Sequence, residues 1–390
     1  MSRRVLFIAT VVKKHICQFH IPYLRWFKEQ GYEVHVCARN DYEDKSVCNI
    51  PYCDKFYDID FSRSPVDHSN LVAYRDIKEI IEKNDYDLIH CHTPIAATIT
   101  RLAAKKIRKK GTVVLYTTHG FHFFYGSSKL SKIYYYIEKF LIKYTDGIIT
   151  INSEDYKAAS SFCEKSDCKA FYVHGMGVDT EKIASMSVNR KNLKQKFGIP
   201  EDAVVLLSVS EINKNKNLET SLKAFAEVKD KNVYYLVCGS GDMLDNCRKL
   251  SDDLKISDRV IFAGYRYDIF EVVHIADIFL FPSYREGLGV APIEAMSAGV
   301  PIIASDIRGV REYAVNMHNS ILLPPDDVKG YAEAIKKLVN NQELREFLGE
   351  NASKAVAPFD IKNSLKSMSD IYHSYLKEDT VVYGEEVMRA

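Results

Sequence analysis

The sequence predicts an α/β protein with two doubly wound, parallel-sheet domains that face each other across a cleft. Short apolar runs alternate with loops and amphipathic segments, and the same alternation begins again in the second half of the chain. Apolar runs without polar alternation are typical of strands buried on both faces, and helices between them indicate parallel crossovers. The two series are separated by a polar stretch, 175–200, that contains three glycines and a proline and predicts a linker.

The first series supplies the first domain. Its predicted strands are the apolar runs Val5–Val12, Val34–Ala38, Leu88–His92, Val113–Thr118, Ile148–Ile151 and Phe171–His174. Its predicted helices are the amphipathic segments Ile21–Gln30, Leu71–Asn84, Ile95–Lys109 and Ile133–Lys143. Gly31 directly after the first of these segments is a typical helix end.

The second series supplies the second domain. Its predicted strands are Val204–Val209, Tyr234–Cys238, Val260–Phe262, Ile278–Phe281, Ile302–Ala304 and Ile321–Leu322. We therefore expect a first domain over 1–178, a second over 179–357, and a C-terminal segment over 358–390. The helical stretch Ile361–Lys377 in that segment is expected to cross back onto the first domain. Because parallel sheets bind ligands beyond the carboxyl ends of their strands, the cleft is the expected site.

The composition favours folded domains and excludes several classes of protein. The 390 residues are 46% hydrophobic and 27% charged, which excludes intrinsic disorder and, at about 150 residues per domain, predicts two or three domains. A net charge of +1 argues against a dedicated nucleic-acid-binding protein. The charge is uneven, because residues 1–175 carry 26 Lys and Arg against 20 Asp and Glu. A basic first half and an acidic second half indicate two units with different partners.

Cysteine usage and the N-terminal residues indicate a cytoplasmic protein. The nine cysteines include no Cys-x-x-Cys pair, which favours free thiols in a reducing compartment. The apolar run Val5–Val12 ends at Lys13 and Lys14 without a small-residue cleavage site, so a buried strand is favoured over a signal peptide. No apolar stretch approaches the ~20 residues that span a bilayer. We expect a soluble protein that at most contacts the inner face of the plasma membrane.

The most informative segment runs from Tyr284 to Pro301. It follows a buried strand, turns through Gly287 and Gly289, and opens a helix, and a helix N-terminus suits a phosphate. Glu286 and Glu294 are eight positions apart, about 12 Å at helical rise, which is the scale of a nucleotide sugar. The alternative interpretation is a pair of surface glutamates at a helix start, where acidic residues are common.

This segment resembles the signature of the retaining glycosyltransferases of family 4, which have the GT-B fold of two facing Rossmann-like domains. The resemblance includes Glu286 and Glu294 with the Gly-Leu-Gly and Ala-Gly-Val-Pro sequences beside them, and it extends over almost the whole chain. Four further segments resemble the bacterial polysaccharide and capsule branch of that family, in chain order Thr118–Phe123, Ile149–Tyr156, Gly177–Asp179 and Asn213–Asn217.

The resemblance implies a role for several residues of the second domain, which would bind the donor, a UDP-sugar. Glu286 would contact hydroxyls of the donor sugar, and Glu294 would hold the ribose. The N–H groups of Gly287, Leu288 and Gly289 would lie near the sugar and the diphosphate. Lys216 would neutralise the diphosphate as it departs, without a metal ion or another cofactor, because an ammonium group and a helix N-terminus stabilise that charge.

The resemblance also implies that His119 faces the donor sugar from the first domain. One position departs from the family, because Glu211 stands where an arginine is usual. Either Glu211 points away from the diphosphate or another cation, Lys214 or Arg266, compensates, and failing both the protein would be a poor enzyme. Compensation is the favoured alternative. Ser210, the residue before Glu211, would also bind the donor.

Gly239 follows the next strand of the second domain and is also placed with the donor. A plain turn at Gly239 is an equally open interpretation.

Two groups could ligate a metal, and neither is favoured. Asp58-Ile-Asp60 matches a metal-binding Asp-x-Asp pattern of a different transferase architecture, but its setting favours a loop after a short strand. His90-Cys91-His92 at a strand end has too little reach for one tetrahedral site, and His92 is expected to line the cleft. We therefore expect no metal.

The acceptor is expected on the first domain. Phe121 and Tyr125 lie in a loop after a strand, where aromatic rings could stack on an acceptor sugar or touch a lipid tail. The basic run Lys105–Lys110 is either a solvated helix end or a contact for anionic lipid headgroups. The family branch implies acceptors linked to polyprenyl diphosphate.

The sequence therefore predicts a retaining, metal-independent glycosyltransferase. It would move a hexose or an N-acetylhexosamine from a UDP-sugar to a glycan or a lipid-linked acceptor. Two alternatives stay open: a nucleotide-sugar epimerase with the same fold, and a non-catalytic nucleotide-binding partner of another transferase.

Overall fold

The structure is a computed structural model that describes residues 3–62, 64, 66–123 and 131–376. It contains two parallel sheets, of seven and six strands, with helices packed on both faces. The predicted fold class, two Rossmann-like domains facing across a cleft, is confirmed.

All strand pairs in both sheets are parallel. The first sheet has the order β3-β2-β1-β4-β5-β6-β7, and the second has the order β10-β9-β8-β11-β12-β13. The strands are β1 (Arg4–Val11), β2 (Glu33–Arg39), β3 (Lys55–Asp58), β4 (Leu88–His92), β5 (Val113–Thr118), β6 (Gly147–Thr150), β7 (Lys169–Tyr172), β8 (Val204–Val209), β9 (Val233–Cys238), β10 (Val260–Gly264), β11 (Ile278–Phe281), β12 (Ile302–Ser305) and β13 (Ser320–Leu323).

Helices cover both sheets. The α-helices are α1 (Ile21–Glu29), α2 (Ser69–Lys83), α3 (Pro94–Ala103), α4 (Lys105–Arg108), α5 (Ser131–Leu141), α6 (Ser153–Cys163), α7 (Thr180–Ser185), α8 (Arg190–Lys196), α9 (Leu218–Ala226), α10 (Leu244–Asp253), α11 (Ile269–Val272), α12 (Val290–Ser297), α13 (Val328–Val339), α14 (Gln342–Ala355) and α15 (Ile361–His373). Short 3-10 helices interrupt the loops, and a π-helix spans Val12–His20.

The predicted strands are present with ends that shift by up to two residues. The short strand expected before the Asp58–Asp60 loop is β3, which pairs with β2 at the edge of the first sheet. Two features differ from expectation. The helix expected over 95–109 is divided into α3 and α4 at Ala104, whose ψ of −7° departs from helical geometry. The π-helix after β1 was not predicted, since the two lysines there indicate only the end of a strand.

The last helix lies against the first domain. The Tyr372 ring packs 4.6 Å from Phe27 and 5.4 Å from Trp26 between centroids, and its hydroxyl lies 2.9 Å from Nδ1 of His90. At the start of α15 the Asp360 carboxylate accepts a 2.7 Å bond from the Thr180 hydroxyl. The chain therefore crosses between the domains twice.

Candidate active site

Lys216 and Glu286 meet at the carboxyl ends of two neighbouring strands of the second sheet. The Nζ of Lys216 donates a 2.6 Å hydrogen bond to Oε1 of Glu286, and both side chains are largely buried. Asn213 caps the short helix that carries Lys216, and Asn215 joins the two loops by donating to the Arg285 carbonyl at 2.9 Å. The two residues assigned to the donor by resemblance therefore form one ion pair.

The Gly287–Gly289 turn leads directly into the N-terminus of α12. Gly289 adopts a φ of +86° at the N-cap of that helix, a conformation that favours glycine. Gly287 touches the first domain, since a Cβ there would lie 1.8 Å from the carbonyl oxygen of His119. The turn therefore brings unpaired helix N–H groups and the His119 loop to one point of the cleft.

Glu294 lies on α12, one helical turn beyond its start. Enclosure of this carboxyl raises the pKa of Glu294 to about 7, because burial penalises the charged form. A carboxyl group held near its midpoint at neutral pH is typical of a functional site.

Two residues that the sequence analysis missed hold the cleft closed. Arg308 of the second domain forms a 2.7 Å ion pair with the buried Asp155 carboxylate of the first, and it donates at 2.6 Å to the Phe121 carbonyl. Asn152 donates at 2.9 Å to the Gly287 carbonyl. Asn152 caps α6 two residues after β6 ends, inside one of the quoted segments, so its position after a strand end was the available signal. No sequence pattern indicated Arg308.

Glu211, the residue that departs from the family pattern, faces the first domain. Its carboxylate lies 3.9 Å from the Nζ of Lys14 and accepts a 3.0 Å bond from Asn213, and both charged side chains are exposed. Of the two alternatives, the contact with Lys14 supports the one in which Glu211 points away from the Lys216–Glu286 pair.

Ser210 and Gly239 lie side by side where β8 and β9 end. A Cβ at Gly239 would meet the Ser210 carbonyl oxygen at 1.8 Å, so the close approach of the two loops requires glycine there. Gly241, two residues on, approaches the Ile212 carbonyl in the same way. The structure thus brings this loop to the edge of the cleft.

The two cations expected to compensate for Glu211 have different surroundings. Arg266 forms a bidentate pair with Asp268 at 2.8 and 2.5 Å, so its charge is already compensated. Lys214 is exposed two residues before Lys216. Of the two, Lys214 is the one that forms no ion pair with the residues that the structure describes.

His119 and His92 belong to a cluster of four histidines with His15 and His20. His92 is fully buried beneath the cleft, so the expectation that it lines the cleft was wrong. The sequence analysis missed His15 and His20, which lie on the π-helix. Burial lowers the pKa of His119 to about 4 and that of His92 well below its usual range, so both rings are neutral at pH 7.

The acceptor-side aromatic residues differ from expectation. Phe121 is 2% exposed and stacks on Phe123 in the core of the first domain, so it cannot contact an acceptor there. Tyr125 lies outside the described residues. A cavity of about 300 Å³ opens beside His15 instead, lined in part by Lys14, His122 and Tyr134.

Of the two groups considered as metal ligands in the sequence analysis, only His92 belongs to the four-histidine cluster. Asp58 accepts a bond from the backbone N–H of Asn40, and Asp60 is exposed 3.9 Å from Arg39. His90 has both ring nitrogens within hydrogen-bond distance of hydroxyls, those of Tyr372 and Thr117. Among the described residues, the four-histidine cluster alone places three or more metal-binding side chains together.

Comparison with known proteins gives consistent matches over both domains. The family described as "Glycosyl transferases group 1" matches residues 189–355, and "Glycosyl transferase 4-like" matches residues 4–152. The chain is 38% identical over 384 residues to EpsD of Bacillus subtilis (strain 168), a protein named as a glycosyltransferase, with 97% of this chain and 99% of EpsD covered.

A second relative and a solved structure extend this comparison. The chain is 27% identical over 325 residues to the UDP-Gal:alpha-D-GlcNAc-diphosphoundecaprenol alpha-1,3-galactosyltransferase of Escherichia coli, with 78% of this chain and 81% of that protein covered. Anabaena HepE in complex with UDP and glucose shares the fold with a TM-score of 0.79 at 18% identity, covering 95% of this chain and 100% of HepE. The chain therefore belongs to the group 1, family 4-like glycosyltransferases of the GT-B fold.

Proposed function

We propose that the protein transfers a hexose or an N-acetylhexosamine from a UDP-sugar, with retention at the anomeric carbon, to a lipid-linked or glycan acceptor in surface polysaccharide biosynthesis. The observation that carries this proposal is the Lys216–Glu286 pair beside the Gly287–Gly289 turn, opposite His119. The names of the relatives support it: one acts on a diphosphoundecaprenol-linked sugar, and HepE has been solved with UDP-glucose.

The charges at the site suit the departure of UDP. When the anomeric C–O bond breaks, negative charge develops on the β-phosphate, where Lys216 and the N-terminus of α12 stabilise it. The acceptor hydroxyl forms the new C–O bond on the same face of the sugar and passes its proton to the departing phosphate oxygen. Glu286 must release Lys216 for this step, and the hydroxyls of the bound sugar are its natural new partners.

No resident metal ion is needed at the diphosphate in this proposal. Two cationic elements, the Lys216 ammonium group and the helix N-terminus, already face it. We therefore expect the transfer rate to be unchanged when Mg²⁺ or Mn²⁺ is added to the assay.

An exposed apolar face on α5 fits a membrane-bound acceptor. Ile133, Tyr136 and Phe140 are 56%, 66% and 52% exposed, and Lys143 lies over the Phe140 ring at 3.5 Å. The basic run Lys105–Lys110 lies nearby, with Lys105 5.7 Å from the ring of Tyr144 just beyond α5. Apolar side chains among basic residues are typical of surfaces that insert into anionic membranes. No helix of the described chain has both the length and the apolar character needed to cross a membrane.

Replacing Ile133 and Phe140 by serine should weaken binding to phosphatidylglycerol-containing vesicles at least tenfold. Each large apolar side chain contributes about 1.5–3 kcal/mol when it is fully buried. Sedimentation with mixed phosphatidylglycerol–phosphatidylcholine vesicles measures the change. Phe347→Ser is the matched control, because Phe347 is 51% exposed on α14 of the second domain. Equal binding by the control and the double variant would contradict an α5 membrane surface.

Binding of the donor should strengthen with pH through the titration of Glu294. A carboxylate accepts ribose hydroxyls better than a neutral acid, and with a pKa of about 7 its charged fraction rises roughly tenfold between pH 6 and pH 8. The Kd for UDP-glucose should therefore fall about tenfold over that range. UDP-glucose is the probe because, unlike UDP, it has no terminal phosphate that titrates in this range.

Isothermal titration at several pH values measures this dependence. Glu294→Gln should bind more weakly at pH 8 and show a flat profile. If Glu294→Gln kept the same pH dependence of the Kd as the wild type, the assignment of Glu294 to the ribose would be wrong.

The function is tested by incubating the protein with individual UDP-sugars and a membrane lipid extract. Release of UDP together with a lipid product heavier by one hexose or N-acetylhexosamine is the expected result, read by mass spectrometry. Conversion of the UDP-sugar without acceptor, by inversion at C2, would indicate an epimerase instead. Binding without UDP release under any acceptor would indicate a non-catalytic partner.

A further inference from the structure

Four histidine side chains converge at the carboxyl edge of the first sheet. His15 and His20 follow β1, His92 ends β4, and His119 follows β5, which are three adjacent strands of that sheet. One ring nitrogen from each lies within 4.8 Å of the others. The four histidines are separated by up to about a hundred positions in the sequence, so only the tertiary fold brings them together.

The π-helix Val12–His20 is what brings His15 and His20 to the same side. Five residues apart in an α-helix, the two rings would point roughly 140° away from each other. The wider π-turn joins residues five apart, so their side chains lie close together. Their ring centroids are 5.0 Å apart. π-Helical turns are rare and frequently occur at functional sites.

Three of the four histidines have buried ring nitrogens without a hydrogen-bond partner in the part of the chain that the structure describes. Both ring nitrogens of His20 and His92, and Nε2 of His119, have no hydrogen-bond partner within the described residues. His20 and His92 are fully buried. An unpaired buried polar group costs about 1–3 kcal/mol, so five such atoms in one place are unusual. By contrast, the neighbouring His90 has a partner at each nitrogen.

We propose that His15, His20, His92 and His119 bind one divalent transition-metal ion, with Zn²⁺ as the first candidate. Imidazole nitrogens suit Zn²⁺, Cu²⁺ and Ni²⁺, and four of them match tetrahedral zinc. Zn–N bonds of about 2.0–2.1 Å place tetrahedral ligands about 3.3 Å apart, so the widest pair must approach by up to about 1.5 Å. The His20 and His92 rings, 3.8 Å apart between centroids and tilted by 32°, turn apart as the ion enters.

The ion would also fix the state of His119. With Nε2 on the metal, the proton of the neutral ring is on Nδ1, which then donates hydrogen bonds. If His119 faces the donor sugar, as the proposed function holds, the metal makes it a donor to a sugar hydroxyl. The binding site itself does not depend on that function.

Metal binding is measured directly on the full chain, purified without a histidine tag and freed of metal by chelation. We expect about one Zn²⁺ per chain by plasma mass spectrometry after dialysis, and a rise in Tm on adding Zn²⁺. Co²⁺ should give the visible absorption of a tetrahedral nitrogen site. His92→Gln and His15→Gln should each weaken the binding of Co²⁺ at least tenfold.

His318→Gln is the matched control, since it removes one exposed imidazole from the second domain. It should bind Co²⁺ like the wild type. Well under one ion per chain in the wild type, or equal Co²⁺ binding in all three variants, overturns the proposal and indicates ordered water between the rings. If a ligand variant fails to fold, the stoichiometry and Co²⁺ spectrum of the wild type still decide. None of these readouts requires transfer activity, so failure of the metal site and failure of the proposed function are distinguishable.

Discussion

Glu286→Gln is expected to lower kcat by roughly 100- to 1,000-fold while the affinity for UDP stays the same or rises. The substitution keeps the shape of the side chain but removes the charge that, in the proposed function, binds the donor sugar in the transition state. It also releases Lys216 from the 2.6 Å ion pair, so that its ammonium group is available to the diphosphate before the sugar is bound. A variant that binds UDP as well as the wild type but turns over slowly would show that Glu286 contacts the sugar and not the nucleotide.

The measurement pairs steady-state transfer assays with titration of UDP. Glu271→Gln is the control, because it makes the same carboxylate-to-amide change on an exposed helix of the second domain. It should leave both quantities within about twofold of the wild type, as surface substitutions usually do. If Glu286→Gln reduced UDP affinity and turnover equally, Glu286 would belong to the nucleotide site and its assignment to the sugar would be wrong.

Gly287→Ala should reduce kcat/KM by at least 100-fold with little loss of thermal stability. The added Cβ would lie 1.8 Å from the His119 carbonyl oxygen and 2.7 Å from its carbon, so the two loops must separate. Their separation breaks the bond from Asn152 to the Gly287 carbonyl and displaces His119 from the Gly287–Gly289 turn. Misplacing reacting groups by about 1 Å is enough to cost 100-fold in rate.

Gly198→Ala provides the contrast for this prediction. Gly198 has a φ of +70° with nothing near its Cβ position, so alanine there strains the backbone without a clash against another loop. It should lower Tm and leave kcat/KM unchanged, the reverse of Gly287→Ala. Wild-type kcat/KM in Gly287→Ala would mean that the cleft works in a more open form than the one described.

Local patterns were sufficient to predict the strands and the segments that carry the site. Runs such as Leu88–His92 and Val113–Thr118 were predicted with the ends they have, because burial on both faces leaves an uninterrupted apolar signature. The ion pair between Lys216 and Glu286 could not be predicted, since it depends on how two loops seventy residues apart are joined by Asn215. Local sequence contains no information on that distance.

The histidine cluster also could not be predicted from local sequence. The sequence analysis considered His92 together with His90, two residues before it in the same strand. The surroundings of the two side chains differ, because different parts of the fold pack against them. His90 contacts Tyr372 from the last helix, whereas His92 contacts His20 from the π-helix. Phe121 was expected in an exposed loop, and its burial follows from packing against Phe123 and Phe162.

The crossing of α15 onto the first domain also has a consequence for synthesis on the ribosome. The strands of the first domain end at Tyr172, but Tyr372, which packs on Trp26 and Phe27, is translated about two hundred residues later. At about 5–20 residues added per second, roughly 10 to 40 seconds pass before α15 is synthesised and can pack on this face. During that interval the nascent chain presents an uncovered aromatic surface, which makes it a natural client for chaperones.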